Sequence, residues 1–125
     1  MIIINLTQHA ATPDQVAQGV VDLPDSLQHI AKGLLTFVQL PTADQVMQRA
    51  VALTKLISNQ YPYYDVDAVM IGGAPYLMAP LVSQLMQSGY QAVFAYTDRV
   101  SVDVVQPDGT TKKTAIFKHM GFVNA

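Results

Sequence analysis

Three short stretches of the chain are apolar almost without a break: "IIINL" (Ile2 to Leu6), "DAVMIGG" and "QAVFAY". Runs of this length with little polar alternation are expected of strands covered on both faces. Between them the apolar positions recur at helical spacing. After the polar "TQHAAT", Thr12 is a good N-cap, with Pro13 at the first helical position and Gln15 three residues beyond the cap, which predicts a short helix through Val16 that Gly19 weakens. In "LPDSLQHIAKG", Leu27, Ile30, Ala31 and Leu34 share one helical face, and Gly33 marks a stop. The clearest helix follows: Thr42 and Gln45 repeat the capping pattern, Val46, Ala50, Leu53 and Ile57 form one stripe, and Pro62 ends the region. The second strand leads into a helix reaching Ser88, with Gly89 just past its end. Pro80 lacks a donor and would distort the first turns of a helix begun at Pro75, so the regular helix is expected from Leu77.

Strand, helical region, strand, helix, strand is the order that produces crossovers and a parallel sheet. The last quarter alternates instead, in two strands around Pro107-Asp108-Gly109, and predicts an antiparallel hairpin. The expected fold is therefore a single three-layer α/β domain over residues 1–125, with a mostly parallel sheet and a C-terminal antiparallel β-hairpin over 96–122. The first strand is expected at the centre, flanked by the second and third.

Composition narrows the partners. Of 125 residues, 50% are hydrophobic and only 13% charged, a low share for a soluble surface, so apolar faces are expected between subunits. A formal charge of −2 argues against broad electrostatic binding to duplex nucleic acid or to an anionic membrane. The absence of cysteine removes disulfides, Cys-type zinc sites and thiol nucleophiles. The apolar run at the amino terminus is too short to span a bilayer and has no basic flank, so a cytoplasmic location is expected. Three histidines without HExxH or His-x-His spacing point away from a metal enzyme, and no GxSxG elbow is present. No cofactor is expected.

Candidate chemistry follows from topology. Open parallel sheets bind ligands beyond the carboxyl ends of their strands. Those ends deliver Thr7, Gln8 and His9, then Gly72 and Gly73 with the turn toward Tyr76, then Thr97 and Arg99. A three-residue loop with Gly109 left-handed sets Gln106 opposite Thr110. Asp103 then faces Lys113, Ser101 faces Ala115, Arg99 faces Phe117 and Thr97 faces His119. This register gathers Thr97, Arg99, Ser101 and His119 on one polar side and leaves Val100, Val102, Val104 and Ile116 on an apolar one. Hydroxyls, an amide, imidazoles, a guanidinium and backbone amides suit an anionic, nucleotide-like ligand. Each also has a plainer reading. Gly72-Gly73 is equally a tight turn, since the loop has neither GxGxxG nor a Walker sequence. His9 and His119 are more often structural histidines than catalysts, Arg99 is equally a salt-bridge partner, and Tyr76 is more often core or interface than a base-stacking ring.

The segment "YTDRVSVDVVQPDGTTKKTAIFKHMGF", Tyr96 to Phe122, resembles the C-terminal hairpin of small CRISPR-associated Rossmann-like (CARF-type) proteins of the ring-nuclease kind. There an Arg-Val segment, an Asp-Gly turn and a Phe-Lys/Arg-His segment follow one another. "LTQHAATPDQ" is similar more loosely, and "IGGAPYLMAP" has no counterpart in the pattern. The resemblance implies a Rossmann-like fold and a homodimer that binds cyclic oligoadenylate at the carboxyl edge of its sheets. It also implies metal-independent cleavage, in which a ribose 2′-hydroxyl attacks the adjacent phosphate. Carried over, it gives Arg99 a phosphate-stabilising role and His119 a hairpin position without an assigned role. His9 would serve as general base or acid. The competing expectation is a non-catalytic assembly module working through an apolar oligomer interface. A small-molecule enzyme of another type using the same crevice is a third.

Overall fold

In the computed structural model, which describes all 125 residues, the apolar runs form the sheet and the amphipathic stretches cover it. The order is β1 (Ile3–Leu6), α1 (Pro13–Ala17), β2 (Val20–Asp22), α2 (Asp25–Leu35), α3 (Ala43–Gln60), β3 (Ala68–Ile71), α4 (Pro75–Gln87), β4 (Ala92–Val105) and β5 (Thr111–Asn124). The five strands form one sheet, β2-β1-β3-β4-β5, with the first four parallel and β5 antiparallel to β4. The protein is thus α/β with a mixed sheet.

Alternation along the buried strands splits the core in two. Ile4, Leu6, Val69 and Ile71 face the large cluster under α2, α3 and α4, to which the stripe Val46, Ala50, Leu53 and Ile57 belongs. Ile3, Val20, Ala68, Met70 and Val93 face the other way, into a small cluster covered by Ala11 and Phe122. The helical cover is correspondingly unequal, with a five-residue α1 standing against β2 and β5 on the thin side.

Both capping boxes form. Thr12 Oγ1 accepts from Gln15 N at 3.2 Å, and Thr42 Oγ1 accepts from Gln45 N at 3.1 Å. The end of α2 is held by Arg49, whose guanidinium donates to the carbonyls of Gly33, Leu34 and Thr36 and lies 4.2 Å from the Phe37 ring centroid. The Tyr90 hydroxyl is buried and donates to the Tyr61 carbonyl, and burial pushes its pKa above the usual phenol value.

The structure corrects the sequence reading in three places. β1 is flanked by β2 and β3, while β4 lies beyond β3; the three-residue β2 was missed because it is too short for a periodic signal. The helix α4 begins at Pro75 and carries Pro80 inside it. Burial of Leu77, Leu81 and Leu85 holds it together despite the lost donor. Third, "QAVFAY" and the first hairpin strand are one continuous β4.

The predicted hairpin register is the observed one. Thr97 lies opposite His119, Arg99 opposite Phe117, Ser101 opposite Ala115 and Asp103 opposite Lys113. Gln106 N donates to Thr110 O at 2.7 Å, and Gly109 has φ 85°. A bulge between Tyr96 and Thr97, with Met120 as the extra residue on β5, separates the base of the hairpin from the rest. Because β3 pairs with β4 only at Ala92 and Val93, the hairpin beyond the bulge is a two-stranded ribbon. No helix of the protein is long and apolar enough to cross a membrane.

Candidate functional site

The connection from β1 to β2 leaves β1 in one direction, and that from β2 to β3 returns in the other. This makes the gap between β1 and β3 the switch point of the sheet. A crevice of about 570 Å³ lies there. It is lined by Thr7, Gln8 and His9 after β1, by Gly72 and Gly73 after β3, and by Phe94 and Ala95 of β4, with Thr12 and Gln15 of the α1 capping box completing it.

The loop after β1 is built around Asn5, a buried amide in an otherwise apolar strand. Its Nδ2 donates to the His9 carbonyl at 2.8 Å and to Asp22 Oδ1 at 2.8 Å. Its Oδ1 accepts from Thr7 Oγ1 at 2.7 Å and from Thr7 N at 3.1 Å. Asp22 Oδ1 also accepts from Ala11 N at 3.0 Å. Every hydrogen-bonding position of the amide is filled, so the path from Thr7 to Ala11 is fixed by one side chain. Sequence reasoning overlooked Asn5; the available signal was a lone asparagine inside "IIINL".

The same network decides which groups at the rim are free. The Thr7 hydroxyl is engaged with Asn5, and the Gln8 amide donates to Leu35 O at 3.2 Å and Thr36 Oγ1 at 3.0 Å, tying the loop to the end of α2. These two residues shape the crevice. His9 is exposed and its ring has no hydrogen-bond partner within the chain. Gly73 N has no backbone or side-chain acceptor and stands open on the crevice that the imidazole also lines, whereas Gly72 N occupies the ladder position facing the Leu6 carbonyl, because the parallel pairing of β1 with β3 runs to Leu6 and Ile71. A Cβ on Gly72 would touch only Thr7 Cγ2, at 3.6 Å.

The remaining candidates lie elsewhere. Arg99, Thr97 and Ser101 are exposed on β4 and do not line the crevice; the Arg99 backbone N–H bonds the Asp98 carboxylate. The ribbon carries them past the sheet edge, a length the sequence pattern does not encode. His119 is buried, with Nε2 3.0 Å from Gln18 Oε1, its ring edge-on to Phe122 at 4.9 Å, and Nδ1 without a partner. Tyr76 faces a different, apolar groove of about 460 Å³ with Leu40, Pro41, Met47 and Pro80, where it meets Phe37 edge to face at 5.1 Å. Gly72, Gly73, Thr7, Gln8 and His9 therefore converge as expected from topology, while Arg99, His119 and Tyr76 each go to separate surroundings. No three His or Asp side chains gather into a cluster able to hold a metal ion.

A model of the uncharacterized protein MJ1673 family matches residues 1–123. The chain belongs to that family. The matched span takes in every residue lining the crevice and the whole ribbon. No curated protein and no solved structure matches the chain.

Proposed function

We propose that the crevice beyond β1, β3 and β4 binds a nucleotide-like anionic ligand, with cyclic oligoadenylate as the first member of that class to test. The observation that carries this reading is the unpartnered Gly73 N–H on the crevice that the exposed His9 also lines. Backbone donors at a switch point, next to the start of α4, favour negative charge. The volume of about 570 Å³ falls within the range of small-molecule sites and suits one nucleotide unit of a larger ring. No lysine or arginine lines the crevice, so affinity rests on hydrogen bonds and is expected to be only weakly salt-dependent.

The strand order with its switch point also supports reading the domain as Rossmann-like, with α1 as a thin third layer. The catalytic form of the proposal is metal-independent. The ribose 2′-oxygen bonds to the adjacent phosphorus as the P–O5′ bond breaks, His9 takes the 2′-hydroxyl proton, and the departing 5′-oxygen takes a proton from water. Arg99 would offset the added charge only if a second copy delivered it, because it lies outside its own chain's crevice.

Calorimetric titration with cyclic tetra- and hexa-adenylate, AMP as the fragment control, and chromatography of the products test both forms. Saturable heat with the wild type is expected. Gly72→Ala, a contact the backbone accommodates, should weaken binding by about tenfold, or ~1.4 kcal/mol. His9→Ala should abolish any linear or cyclic-phosphate product. No heat and no thermal shift at millimolar nucleotide would overturn the binding reading; heat without product would overturn only the catalytic one.

A further inference from the structure

The ribbon beyond the bulge has no third strand, and two-stranded ribbons are marginal in water unless one face is covered. Its pairing separates two faces. On one, Thr97 and His119, Arg99 and Phe117, Ser101 and Ala115, and Asp103 and Lys113 lie side by side. On the other, Asp98 pairs with Lys118, Val100 with Ile116, Val102 with Thr114 and Val104 with Lys112. This second face is an apolar ladder with an ion-pairable couple at its base, and Val104 and Ile116 keep 41% and 43% of their surface exposed. A lone ladder of β-branched residues left to solvent is the kind of patch that marks an interface.

We propose that this face packs on the same face of a second copy about a two-fold axis running along the ribbon, which makes the ribbon the protein's self-association surface. The charge pattern argues for the occupant. A two-fold along the ribbon exchanges the two strands, so Asp98 lies over Lys118 of the partner subunit, and Val100 lies over the partner's Ile116. The charges at the base thus meet their opposites and the apolar groups beside them meet apolar groups, while at the tip Val104 lies along the aliphatic stem of the partner's Lys112. A two-fold across the ribbon would instead drive Asp98 toward the valines at the far end. Edge-to-edge pairing through β5 is disfavoured as well: Lys112, Lys113 and Lys118 are the only charges on that strand, so two copies would oppose like charges. The surface lies outside the crevice, so its failure leaves the nucleotide titration untouched.

Light scattering on the full chain after size exclusion reads the mass directly, against 13.6 kDa for one chain. The wild type is expected at the mass of two chains, and Val102→Lys at the mass of one with its circular dichroism unchanged. The deciding arm uses Asp98→Lys and Lys118→Asp, each expected to be monomeric alone. Mixed, they should form a dimer, since the lysine introduced into one chain then meets the aspartate introduced into the other, while the like-charge pair within each ribbon persists. Restoration on mixing can only come from contact between chains. A wild type that stays monomeric at high micromolar concentration overturns the proposal. So does a dimer that tolerates Val102→Lys, or a mixture that remains monomeric.

Discussion

Asn5 carries more of the site's architecture than any residue that touches the crevice. Replacing it with leucine would keep the volume of a buried strand residue while removing four hydrogen bonds at once, leaving Thr7 N and the Asp22 carboxylate short of partners. Each buried polar group left unsatisfied costs about 1–3 kcal/mol, so Asn5→Leu is expected to lose roughly 2–4 kcal/mol in total, with part of the loss relieved by water reaching the loop. A urea melt measures the drop, and nucleotide titration of the folded fraction should show weakened binding because His9 is no longer held. A midpoint shift under a few tenths of a kcal/mol would mean the loop is fixed by something other than this amide. The residue scale also shows the limit of sequence reading. Thr7 and Gln8 were rightly placed at the rim from topology. Their donors are nonetheless engaged with Asn5 and α2, and such engagement is a tertiary fact with no local signature.

At the scale of elements, α1 and the ribbon meet through Gln18 and His119, residues far apart in sequence whose side chains are 3.0 Å apart. Gln18 Oε1 accepts from Nε2 and Nδ1 is left without a partner, an arrangement that joins two elements and lies away from the crevice. His119→Ala is therefore expected to cost about 1–3 kcal/mol through the lost bond and the lost contact with Phe122. It should leave nucleotide affinity of the folded protein within twofold, or ~0.4 kcal/mol. Chemical denaturation read beside calorimetry separates this from a catalytic role, which would reverse the pattern by sparing stability and destroying turnover. The hairpin itself was legible from its sequence because the Asp103–Lys113 pair and the Gly109 turn are local and admit one register. The strand order was not, since β2 offers three residues of signal and its place beside β1 depends on Gly19, whose φ of 102° lets the chain pass Met1.

The whole molecule is unevenly built. Most of its buried side chains sit in β1, β3 and the helices packed on them, whereas the ribbon beyond the bulge buries only His119, at its base. Amides in such regions open by different routes: those of the core exchange with solvent only on global unfolding, and those of a two-stranded ribbon open locally at much lower free energy. In protein dilute enough to be monomeric, amides of β4 and β5 beyond the bulge should exchange at least about a hundredfold faster than those of β3, a gap of ~2.7 kcal/mol in opening free energy. Raising the concentration should slow the ribbon amides and leave β3 unchanged, because association covers only the ribbon. Nucleotide should do the opposite, protecting the loop after β1 and the turn at Gly72 while sparing the ribbon tip. Hydrogen exchange followed by mass spectrometry under these three conditions thus assigns separate footprints to the two surfaces. Ribbon amides as slow as those of β3 at high dilution would show that the ribbon needs no second copy to hold it.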